Sequence, residues 1–150
     1  MPDLYEVLLV DGGRRWHAGW VVDDETETDV LLVDRGTVPL FGSRAALEHH
    51  AQQHGLDLQD DLPDEIDLDL GGWLSRGMPL PSTAEVSELW HVLYDDPVAG
   101  RALGGEALGE AYDDLVEETP DWFEVHGAAA RRALADAVAR LREVTAAPRA

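Results

Sequence analysis

The chain has 150 residues, 45% of them hydrophobic, and sets 31 acidic side chains against 11 basic ones for a formal charge of −20. Every basic residue is arginine, and there is no cysteine. This length and apolar content suit one domain that buries its own core, while the composition excludes disulfides, thiolate metal sites and a cysteine nucleophile. Leu4–Val10 is a short apolar run ending at Asp11-Gly12-Gly13, a hairpin signal. Trp16 to Val22 follows, with Trp16, Ala18, Trp20 and Val22 on one face at period two. After the polar turn Asp23–Thr28, Val30–Val33 predicts a third strand, closed by Asp34-Arg35-Gly36. Val38–Phe41 is a candidate fourth strand, kept short because Pro39 has no amide to donate to a ladder.

Ser43 is placed as an N-cap and Gly55 as a stop, which predicts a short helix with Leu47 and Ala51 inward. In the acidic stretch 57–69 and just beyond, two periods compete. Ile66, Leu70, Trp73 and Leu74 fit a helical face, whereas Ile66, Leu68 and Leu70 fit a strand. Met78-Pro79-Leu80-Pro81 is a stiff connector. Ser82-Thr83-Ala84-Glu85 is a capping box, followed by Val86, Leu89, Trp90, Leu93 and Tyr94 at helical spacing. Pro97 and Gly100 end that helix. Leu108, Ala111, Tyr112, Leu115 and Val116 repeat the pattern up to Thr119-Pro120, and Trp122-Phe123 is expected in an exposed loop. Ala130, Leu134, Ala137, Val138, Leu141 and Val144 define a longer final helix.

Strands first and helices afterwards predict an α+β protein. The expected form is an N-terminal antiparallel sheet of about three or four strands, with about four C-terminal helices packed on one face. One domain over 1–150 is expected, its sheet part over about 1–42 and its helical part over about 43–147. No basic–apolar leader opens the chain, and the longest aliphatic runs are four residues, so a cytoplasmic location is expected.

The charge is uneven. Residues 57–69 hold seven acids and no arginine, whereas 126–150 hold two acids and five arginines. A field of this sign repels nucleic acid and anionic lipid and attracts basic protein surfaces, so neither direct nucleic-acid binding nor membrane binding is expected. Asp57, Asp60, Asp61, Asp64, Glu65, Asp67 and Asp69 are the first candidates for partner binding, with Asp95 and Asp96 second. Trp122 joins them as an exposed aromatic anchor. Solubility or adaptation to salt is the competing explanation of the acidity. An EF-hand counted from Glu65 fails, because its sixth and twelfth positions are Leu70 and Arg76. No serine stands in a nucleophile motif, and Gly104-Gly105 lacks both the P-loop lysine and the dinucleotide spacing.

His49, His50 and His54 form the one metal candidate. His50 and His54, at i and i+4, share a helix face and can chelate, with a third ligand from an unidentified carboxylate. Ala51 stands where the metalloprotease helix needs Glu. The solvated end of a helix, where the dipole favours cationic histidine, is the preferred explanation of their presence. No cofactor is expected on the leading reading.

Asp67-Leu68-Asp69 through Trp73-Leu74, with Glu88 to Asp96, resembles small acidic actinobacterial proteins of the immunity type from polymorphic toxin systems. The likeness spans roughly residues 40–100. It implies an inhibitor that binds a cognate toxin tightly, with no chemistry of its own, and the negative charge makes a basic toxin domain, such as a nuclease, the expected partner. A DNA mimic that sequesters a DNA-binding protein is the second expectation. A metal-dependent hydrolase using His50 and His54 is the third.

Overall fold

The computed structural model describes residues 2–146. The described chain is α+β: a mixed sheet of about five strands together with five helices. Its described residues divide into two compact units, one formed by residues 2–67 together with 144–146, the other by Leu68–Glu143.

The first unit is built on a long hairpin. β1 (Asp3–Asp11) pairs antiparallel with β2 (Arg14–Asp23) from Asp3↔Val22 to Asp11↔Arg14. The turn between them needs left-handed backbone at both central positions, and Gly12 and Gly13 supply it with φ of 61° and 82°. β3 (Thr28–Leu31) extends the sheet beyond β2. α1 (Arg44–Gln53) begins at Ser43, whose hydroxyl accepts the Ala46 amide at 3.2 Å, as the cap signal predicts. Leu4, Leu32, Leu47 and Ala51 are buried together in one cluster that joins α1 to the sheet. A fully buried leucine contributes roughly 1.5–3 kcal/mol, so this cluster anchors the helix. Of the expected fourth strand Val38–Phe41, β4 (Val38–Pro39) runs beside β7 (Thr145–Ala146), while Phe41 exchanges backbone hydrogen bonds with His17 of β2 at 2.9 and 2.8 Å.

The acidic stretch adds what the meander did not predict. β5 (Asp57–Leu58) and β6 (Asp64–Asp67) both pair parallel with β1, so the sheet is mixed. The reason is topological: α1 carries the chain back along the sheet, so the next strand runs in the direction of β1. Asp57 donates its amide to the Pro2 carbonyl at 3.0 Å, and Gln59 to that of Leu4 at 2.8 Å.

In the second unit the competing periods after Ile66 resolve into a 3-10 turn at Leu70–Gly72 and a single helical turn, α2 (Trp73–Arg76). α3 (Thr83–Tyr94) starts at the predicted capping box, with both Ser82 and Glu85 bonds formed. Val86, Leu89, Trp90, Val92 and Leu93 are buried, whereas Tyr94, expected inward, is 57% exposed. Trp90 and Leu93 already fill the inner face, and one further residue turns the chain about 100° toward solvent. A 3-10 segment at Ala99–Leu103 leads to α4 (Glu106–Val116). α5 runs from Trp122 to Val144, beginning eight residues before the first apolar position predicted for it at Ala130. Among the described residues no helix is long and apolar enough to cross a membrane.

Candidate functional site

Asp57, Asp60, Asp61, Asp64 and Glu65 are exposed along the sheet edge formed by β5 and β6. Asp67 and Asp69 are half-buried. Asp69 is turned to a structural use, accepting the Ser75 amide at 2.8 Å and its hydroxyl at 2.7 Å. Two arginines reach the edge: Arg15 to Glu65 at 3.3 Å and Arg44 to Asp60 at 3.7 Å. Ladder pairing with β1 fixes the backbone at Asp57, Asp64 and Glu65, and Asp60 and Asp61 lie in the connection between the two strands. The Gln59 side chain adds to the pairing by donating to Asp3 at 3.1 Å, and Arg44 donates to the Gln59 carbonyl at 2.8 Å. Leu62, between the two strands, is 93% exposed. Both units are acidic, with sixteen acids against four arginines in the first and fifteen against six in the second.

Two expected partner residues are not available on the surface. Asp96 is 5% exposed and accepts the amides of Val98 at 2.9 Å and Ala99 at 2.8 Å, which caps the 3-10 segment. Its neighbour Asp95 stays exposed. Trp122, expected in a loop, instead opens α5 and is 2% exposed, with its indole N–H donated to the Ala111 carbonyl at 2.8 Å. An indole N–H inside a core requires such a partner, and this one ties α5 to α4. Near the C-terminal end of α4, Nε2 of His126 lies 2.7 Å from the Asp114 carboxylate.

Sequence reasoning missed a buried acid. Glu6 lies on the same face of β1 as Leu4, and its carboxylate is held by His17 at 2.5 Å and Arg44 at 3.3 Å. Alternation alone marks a glutamate in a strand as solvent-facing, so no local signal distinguishes it. The arrangement joins β1, β2 and the first turn of α1, and through Arg44 it reaches Gln59 and Asp60.

The histidines of α1 do acquire a carboxylate. One ring nitrogen each from His50 and His54 and an oxygen of Asp34 lie within 4.8 Å of one another. Asp34 sits at a tight turn closed by reciprocal amide–carbonyl bonds with Thr37 at 2.8 and 3.1 Å. Arg35 and Gly36 adopt positive φ there, 54° and 80°, the pattern of a primed turn. The two imidazoles stack at 4.0 Å, and Phe41 lies 5.2 Å from His50. Burial lowers the pKa of His50 below the ordinary 6.5, His54 lowers it further, and Asp34 opposes the shift. His49 is exposed and outside the cluster.

A separate cleft of about 280 Å³ in the second unit is lined mainly by Trp90, Tyr94, Leu103, Leu108 and Tyr112. It carries His91 and Asp113 as polar groups. Compared with known protein families, curated proteins and solved structures, the chain matches none.

Proposed function

We propose that this protein is a non-enzymatic binding protein that captures a basic protein partner on the acidic sheet edge, acting as an immunity or antitoxin-type inhibitor of a toxin domain such as a nuclease. One observation carries the reading: Asp57, Asp64 and Glu65 are exposed on strands paired with β1, and Asp60 and Asp61 are exposed in the short connection between those strands, not on a free tail. Among the described residues, Asp57, Asp61 and Asp64 have no ion-pair partner. Carboxylates in fixed register give a complementary face to the arginines and lysines that a nuclease presents to phosphates. The net charge of −20 extends the attraction beyond contact. Steered association reaches about 10⁸–10⁹ M⁻¹s⁻¹ at low salt, against about 10⁵–10⁶ without steering. Fast capture suits an inhibitor of a lethal enzyme.

The test begins with a pull-down from the native host and continues with the purified partner in stopped-flow mixing. Changing Asp57, Asp60, Asp61 and Asp64 together to Asn should slow association at least tenfold at low salt and flatten its salt dependence. An unchanged rate constant would refute the site. A partner that binds DNA without toxicity, and that DNA displaces, would select the DNA-mimic reading instead.

A further inference from the structure

We infer that Asp34, His50 and His54 form a binding site for one divalent transition-metal ion, of the zinc class, independent of the acidic edge. The three residues come from two rigid pieces, a closed four-residue turn and the last turn of α1 with its cap residue. Their ligand atoms already lie within 4.8 Å of one another. A tetrahedral zinc site with bonds of about 2.0–2.1 Å places ligand atoms roughly 3.3 Å apart. Closing the difference takes side-chain rotation on fixed backbones.

Two details point to a ligand rather than to a chance meeting of polar groups. His54 Nδ1 lies 2.9 Å from the His50 carbonyl. A carbonyl only accepts, so Nδ1 carries the proton and the lone pair of the neutral ring falls on Nε2. A metal-bound histidine is ordinarily oriented in this way, by a carbonyl on its other nitrogen. His50 supplies the second detail: its Nε2 is buried without a hydrogen-bond partner among the described residues. A buried nitrogen without a partner is destabilising, and coordination removes that cost. Two imidazoles and one carboxylate favour zinc and its neighbours over calcium or magnesium, which take oxygen ligands. Three protein ligands leave a coordination position open to water.

The test uses the full chain stripped of metal, titrated with Zn²⁺ in excess Ca²⁺ and Mg²⁺ so that exposed carboxylates are occupied. One zinc per chain is expected. At a hundredfold excess over Kd, the melting temperature should rise by about 5–10 °C. Substituting Co²⁺ should produce visible ligand-field absorption. His54→Ala, at an exposed position, and Asp34→Asn, nearly isosteric, should each weaken zinc binding at least tenfold and abolish the cobalt spectrum. Circular dichroism identifies a misfolded variant, in which case the other variant decides. Zinc binding that survives both substitutions, or that calcium abolishes, overturns the site, as does failure to bind zinc below about 100 μM. The acidic edge is untouched by either substitution, so capture of the basic partner is scored separately.

Discussion

Removing Arg44 should destabilise the protein more than removing the acid it serves. The Glu6 side chain is 4% exposed, whereas those of His17 and Arg44 are 24% and 35% exposed. Arg44→Met keeps an apolar stem but leaves a buried carboxylate with His17 alone, and it also removes the bond to the Gln59 carbonyl. Orphaning one member of a buried ion pair costs roughly 3–5 kcal/mol, and the remaining contact with His17 reduces this to roughly 2–4 kcal/mol. Glu6→Gln keeps a carbonyl oxygen where the carboxylate stood and leaves behind groups that reach water. Its cost is the difference between a charged and a neutral hydrogen bond, about 1–1.5 kcal/mol. Total stability of a domain is about 5–15 kcal/mol, so urea unfolding at constant slope resolves both changes. The substitutions move the net charge in opposite directions, so the comparison belongs at about 0.5 M NaCl, where the Debye length is roughly 4 Å. A Glu6→Gln loss equal to or larger than that of Arg44→Met would refute the argument that the burial of the carboxylate sets the cost.

Asp95 and Asp96 should separate cleanly in the same assay. Asp96→Ala should cost about 1–2 kcal/mol through loss of its cap, and Asp95→Ala should stay within about 0.5 kcal/mol; equal costs would contradict the assigned cap. In protein held metal-free with chelator, His50 favours its neutral form in the folded state, because burial and His54 lower its pKa below 6.5. The unfolded chain then binds more protons below that pH, so the stability associated with His50 is fully present above 6.5 and declines as pH falls toward the folded pKa. The stability advantage of the natural protein over His50→Gln should therefore shrink from pH 7.5 to pH 5. An advantage that is constant, or that grows on acidification, would contradict the assigned burial.

The candidate surface was legible in sequence to the extent that it depends on local charge density. Seven acids in thirteen positions mark the stretch 57–69 whatever its conformation. Asp96 and Trp122 were misplaced because the same residue types serve caps and cores, and only their partners, the Val98 and Ala99 amides and the Ala111 carbonyl, reveal which. For the histidines, helical spacing put His50 and His54 on one face, but Asp34 lies sixteen residues before His50 and no periodicity links a turn to a helix end.

The sequence by itself determined the α+β class, the first hairpin, the start of α1 and the capping box of α3, because each rests on turn chemistry or periodicity within a few residues. It also determined the sign of the field, since charge adds without regard to fold. Only the tertiary structure decided that the acidic stretch is an edge of the sheet, running parallel to β1 and fastened by the Pro2 and Leu4 carbonyls. Parallel pairing joins residues about fifty positions apart, and hydrogen bonds at that separation leave no trace in local pattern. The same holds for Glu6, His17 and Arg44, whose contact depends on a helix laid across two strands.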